Sequence, residues 1–147
     1  MWLILKIFFF SNNRNEIFSI DIKSGSFNWK NKVNSNLRPT LVGDLLLTVS
    51  LKGYLIILNK KTGDIIRITD IFKNFKQHKR ENIRPTGFIV GLKNIYLSTS
   101  NGRLLVIDNL MGKTNSVLKI DNAKISRPYV LDKNLYVVKD NAIIKLD

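Results

Sequence analysis

Few residues in this chain could do chemistry by themselves. His78 is the only histidine, and Glu16 and Glu81 are the only glutamates. An imidazole moves protons usefully when a hydroxyl or carboxylate stands within hydrogen-bond reach. His78 instead sits among cations in "FKQHKREN". There is no cysteine, which excludes a thiolate nucleophile, a thiolate zinc site and disulfides. Most aspartates come just before a turn, where the carboxylate usually bonds its own backbone. No glycine-rich phosphate loop is present. The expectation is no catalytic residue, no metal and no cofactor.

Cations are the other resource. Arg38, Arg84 and Arg127 each stand immediately before a proline, and guanidinium groups suit carboxylate partners through paired hydrogen bonds. Lys73, Lys76, His78, Lys79 and Arg80 crowd one short stretch. These eight residues form the candidate partner-binding set. The competing reading is that each arginine bonds a carbonyl in its own turn and that the stretch is a solvated basic loop.

The elements that would position them come from an internal repeat. "IFSIDIKSGSFNW", "LIILNKKTGDIIR" and "RLLVIDNLMGK" share one spacing: Asp21 before Gly25, Asn59 before Gly63, Asp108 before Gly112. Two apolar runs of about five residues recur with first members Ile7, Leu45, Ile95 and Leu135, at offsets of 38, 50 and 40 residues. Turns such as Lys52-Gly53 and Asn101-Gly102 separate the runs, a strong hairpin signal. A third apolar element opens on Arg-Pro in "NLRPTLVGD", "NIRPTGFIVG" and "ISRPYVLD"; proline, lacking a ladder donor, suits the start of a strand. A fourth follows the Gly turn in "SFNWKNKV", "DIIRITDI" and "KTNSVLKI".

Four short antiparallel strands at this period predict an all-β fold, a partial β-propeller of about three and a half four-stranded blades. The blades fall at about 1–35, 36–81, 82–124 and an incomplete 125–147. "MWLILKIFFF" reads as two short buried strands and is too short to span a bilayer. An open arc predicts either a piece of a longer protein or self-association through its edges. The second unit carries about ten extra residues, "DIFKNFKQHKRENI". There Asp70 is expected to cap a short helix with Ile71, Phe72 and Phe75 on one face. If Arg38, Arg84 and Arg127 hold the same place in successive blades, they set a row of positive charge around one channel mouth, with the insertion on the same rim.

With these residues in view, the chain resembles the PQQ-like propeller repeat family. The motif is an apolar residue and Asp, a turn ending in Thr/Ser-Gly, and a Trp four residues later. It is complete in Asp21, Ser24-Gly25 and Trp29; Arg67 and Ser116 stand in the Trp place of the later copies. In that family the Trp locks neighbouring blades, so the resemblance implies looser packing where it is missing, and Trp29 should matter more than Trp2. Within the family the likeness runs to the lipoprotein scaffolds of outer-membrane β-barrel assembly. It implies a periplasmic, outer-membrane-associated scaffold with protein partners of that machinery and no nucleic acid, touching the membrane only through an N-terminal lipid anchor not in this chain. The quinone-dependent dehydrogenases of the wider family need calcium ligands and an aromatic floor, and no such cluster is visible.

A formal charge of +13 keeps a basic surface for nucleic acid or anionic lipid in play beside simple lysine-rich composition. Three functional classes therefore stand: a non-catalytic scaffold, which the sequence favours, a quinoprotein-type dehydrogenase fragment, and a basic binding module.

Overall fold

The computed structural model of the chain describes residues 6–146. The expected first strand at 1–5, with Trp2, lies outside them. The described residues fold into antiparallel meanders in which each strand pairs with its sequence neighbour. The first holds β1 (Ile7–Ser11), β2 (Glu16–Asp21) and β3 (Phe27–Lys32). The second holds β4 (Thr40–Val42), β5 (Leu45–Val49), β6 (Tyr54–Asn59) and β7 (Ile65–Asp70). A short helix, α1 (Gln77–Arg80), precedes the third, made of β8 (Pro85–Val90), β9 (Asn94–Thr99), β10 (Arg103–Asp108) and β11 (Thr114–Lys119). The last is β12 (Tyr129–Leu131), β13 (Asn134–Lys139) and β14 (Ala142–Leu146). This is the all-β, blade-by-blade pattern the repeat predicts.

The described residues divide into two compact units, residues 6–51 with 55–68, and residues 52–54 with 69–146. In the first unit β5 is buried along nearly its whole length, and β6 at four successive positions, Leu55 to Leu58. A strand covered on both faces reads as a continuous apolar run, without alternation. In the second, Phe88, Ile95, Leu97, Leu104, Leu105 and Ile107 form the corresponding interior.

Local chemistry explains the turns. Asp21 Oδ1 accepts the backbone N–H groups of Lys23 and Ser24 at 2.9 and 2.8 Å, and Gly25 N–H returns to the Asp21 carbonyl at 2.9 Å. Asn59 repeats this with Lys61 and Gly63, and Asp108 with Leu110, Met111 and Gly112. Gly25, Gly63 and Gly112 all have φ near +70° to +77°, a region open to glycine at little cost. The Ser24 N–H, followed by its hydroxyl, holds the Asp21 carboxyl below the usual carboxylate range.

A second repeating contact carries no motif. The segment after each fourth strand folds back over its own blade's central hairpin turn: Val33 N–H bonds the Asn15 carbonyl at 2.8 Å, Ile71 that of Gly53 at 3.0 Å, and Ile120 that of Gly102 at 2.9 Å.

The Arg-Pro elements lead into strands as expected, β4 and β12 of three residues each and β8 of six. Two expectations need correcting. The opening run is not fully buried: β1 is half-exposed and Phe8 is 57% exposed. No helix starts at Asp70. β7 runs through that residue, Ile71 and Phe72 are buried outside any helix, and α1 has no buried residue and no side-chain cap. Asp70 instead uses its carboxylate oxygens on an arginine ten residues on and on the amide two residues on.

Candidate functional site

Those oxygens go to Arg80. Arg80 Nη1 donates to Asp70 Oδ2 and Nη2 to Oδ1, both at 2.9 Å. Asp70 Oδ1 also accepts the Phe72 N–H at 3.0 Å. Phe72 in turn lies against Gly53, where a Cβ would run into its ring. The insertion is thereby held near both ends over the β5–β6 hairpin turn. Arg80 also stands 6.0 Å from the centroid of the Tyr54 ring, at the outer limit of a cation–π contact.

Between hairpin and insertion, within the second unit, lies an open cleft of about 450 Å³ lined by Lys52, Tyr54, Gln77, Arg80, Glu81 and Arg84. Its cations are not equivalent. Arg80 is spent on Asp70, and its side chain is only 20% exposed. Arg84 gives Nη1 to the carbonyl oxygens of Glu81 and Ile83, at 2.7 and 3.0 Å. Arg84 and Lys52 form no ion pair among the described residues.

The candidate cations therefore separate. Arg80 and Arg84 share this cleft. Lys73, Lys76, His78 and Lys79 are exposed on the same insertion and do not line it. Arg127 donates from Nε to the Phe88 carbonyl at 3.0 Å and packs its Cβ against Gly87, also in the second unit. Arg38 belongs to the first unit and lines a different cavity, about 570 Å³, with Phe8, Phe9, Phe10, Pro39 and Leu41. Sequence reasoning missed Lys52, Tyr54, Gln77 and Glu81. A usable signal existed for the first two, because an insertion after a fourth strand must cross the central hairpin of its own blade.

The motif residues do structural work. Trp29 is buried, lies face-on to Gly63, and donates from Nε1 to the Lys60 carbonyl at 2.9 Å. Asn31 adds a bond to the Gly63 carbonyl at 2.8 Å. The first sheet is thus fastened to the second sheet's Asn59–Gly63 turn. At the next such turn the residue against Gly112 is Thr69, and not Arg67, which occupies the Trp place in the sequence. Among the described residues no three His, Asp or Glu side chains converge as metal ligands, and no helix is long and apolar enough to cross a membrane.

Antiparallel meanders of three and four short strands, the first fastened to the second by Trp29 on the Gly63 turn, define a β-propeller class of fold, and the chain is similar in fold to solved propellers. Residues 5–69 match the family model described as the outer membrane protein assembly factor BamB, so the PQQ-like repeat resemblance holds over the first two sheets. Among solved structures, BamB from Moraxella catarrhalis aligns with a TM-score of 0.75 at 14% identity, covering 98% of this chain and 40% of that one. The computationally designed Ika4 protein aligns with a TM-score of 0.73 at 12% identity, covering 96% and 84%. The β-propeller domain of Myceliophteria thermophila Cps50 (Swd1) aligns with a TM-score of 0.68 at 10% identity, covering 90% and 45%. Identities this low speak to fold alone. The chain spans 40% of the length of the Moraxella protein it matches. No curated protein sequence matches it.

Proposed function

We propose that the chain is a non-catalytic propeller scaffold that holds protein partners during outer-membrane protein assembly, on the periplasmic side of that membrane. The observation that carries this reading is the match of residues 5–69 to the BamB family model. It is supported by the use of the aspartates: Asp21 and Asp108 hold turns and Asp70 holds Arg80, which leaves none of these carboxylates for proton transfer. His78 is exposed on α1, and its backbone carbonyl accepts from the Asn82 side-chain amide. Loops held on a rigid scaffold can offer protein partners a surface without needing reactive groups.

Affinity isolation of the tagged full-length protein from detergent-solubilised envelopes of its host provides the test. Co-purification of outer-membrane β-barrel assembly components is expected. Recovery in the soluble cytoplasmic fraction without them, or quinone-dependent dehydrogenase activity in the purified protein, overturns the proposal.

A further inference from the structure

The cleft between the β5–β6 hairpin and the insertion combines fixed geometry with uncommitted charge. Its wall is rigid because Arg80 is locked to Asp70 by two parallel bonds and Phe72 is buried against Gly53. A two-pronged Arg–carboxylate pair fixes orientation as well as charge. Arg80 therefore holds the wall, and the cations left for a ligand are Lys52 and Arg84. Lys52 is exposed at the hairpin tip. Arg84 is tethered through Nη1 to two carbonyls, while its Nη2 forms no hydrogen bond among the described residues. A tethered guanidinium loses little freedom on binding, which favours affinity. The volume, about 450 Å³, lies in the ordinary range of ligand clefts, with room for more than one side chain.

We propose that this cleft docks an acidic segment of a protein partner, with Lys52 and Arg84 each taking a carboxylate. This rests on the scaffold reading and names its contact surface. Two neighbours decide the ligand class. Glu81 lines the same cleft and repels a continuous phosphate backbone, whereas a peptide can turn an amide N–H or a lysine toward it. Gln77, also in the lining, offers both a donor and an acceptor suited to a peptide backbone. Lys73, Lys76, His78 and Lys79, exposed on the same insertion, raise the encounter rate of an acidic chain without touching it.

The experiment is fluorescence anisotropy with the full-length protein and three probes: a labelled peptide of alternating Asp and Glu, its Asn/Gln counterpart, and a single-stranded oligonucleotide. The acidic peptide is expected to bind and the neutral one not to. Lys52→Gln should weaken binding about tenfold, as for the loss of one charge-assisted hydrogen bond. Arg84→Gln should weaken it as much or more. Arg84 also caps carbonyls, so the exposed Lys52 is the variant that separates binding from folding. Glu81→Gln should tighten binding about threefold by removing a like charge. A Lys113→Gln/Lys119→Gln control, which costs more net charge than Lys52→Gln outside the cleft, should change affinity less.

Several outcomes overturn the proposal: no peptide binding, equal loss in the control and in Lys52→Gln, weaker binding by Glu81→Gln, or tighter cleft-dependent binding of the oligonucleotide. If the peptide result fails while assembly components still co-purify, the scaffold reading stands and only this surface is wrong. The reverse pattern removes the cellular assignment and keeps the cleft.

Discussion

Two turns with the same backbone are plugged in different ways. At Gly63 the plug is Trp29, whose ring lies where a Cβ would come within 2.5 Å, with an indole N–H bond to Lys60 and the Asn31 amide beside it. At Gly112 the plug is Thr69, its hydroxyl 2.9 Å from the same virtual Cβ. There Thr114 anchors the turn's exit strand through a 3.0 Å bond to the Ile71 carbonyl. Among the described residues nothing lies within 4 Å of the Gly25 Cβ position. The backbone bond that closes the turn is the same at all three glycines. What the plug adds is the joint between one sheet and the next, and its strength scales with the apolar area it buries.

The largest expected effect is at the joint itself. Trp29→Ala should cost about 3–5 kcal/mol, the usual range for truncating a buried Trp. Thr69→Ala should cost about 1 kcal/mol, typical of a mild core truncation. Chemical denaturation followed by far-UV circular dichroism measures both. Equal losses would break the comparison.

Glycine replacements sharpen it. Each Gly→Ala change puts a side chain at positive φ, a strain of roughly 1–2 kcal/mol. Gly63→Ala adds overpacking against a rigid indole, a further ~1–3 kcal/mol. Gly112→Ala meets a small, rotatable side chain and should fall between Gly63→Ala and Gly25→Ala. The Trp29→Ala/Gly63→Ala double variant should recover the overpacking part, giving a non-additive cycle, because the two sites touch. Strict additivity would mean that the ring does not press on the glycine.

The smallest effect separates Asp21 from Asn59, which make the same turn with and without a titratable group. Bonds from Ser24 depress the Asp21 carboxyl. A depressed carboxyl stabilises the fold above its unfolded pKa, and that contribution is lost as pH falls through the lower, folded value. Asp21→Asn should flatten the acid limb of the stability curve, through a small loss at neutral pH, where the ionised carboxyl contributes, and little change at acid pH. An unaltered acid limb would show that the bond is not used. Asp121 behaves in the same direction, depressed first by its 2.9 Å pair with Lys139, whose own pKa is raised. Asp121→Asn should therefore trim the acid limb and, through Lys139, also the far alkaline one.

Much of this was written locally. The strand meander, the Asp–Gly turns and the Trp29 motif were legible in the sequence because each depends on residues a few positions apart. A carboxylate two or three residues before two N–H groups, or a glycine four after an aspartate, settles its turn whatever surrounds it. The proline-led strands were legible for the same reason. What tertiary structure alone decided is which distant groups meet. Asp70 was a plausible helix cap by its neighbours, and it does accept the Phe72 N–H, but β7 runs through it and Arg80, ten residues on, takes both carboxylate oxygens in a two-pronged pair. Arg67 stood in the Trp place by count, but Thr69 faces Gly112. Lys52 and Arg84 lie over thirty positions apart, and they line one cleft because the segment after a fourth strand is held down over its own hairpin. Spacing encodes the turns, while the closing of a loop over a turn depends on the competing long-range bonds available once the sheets have formed.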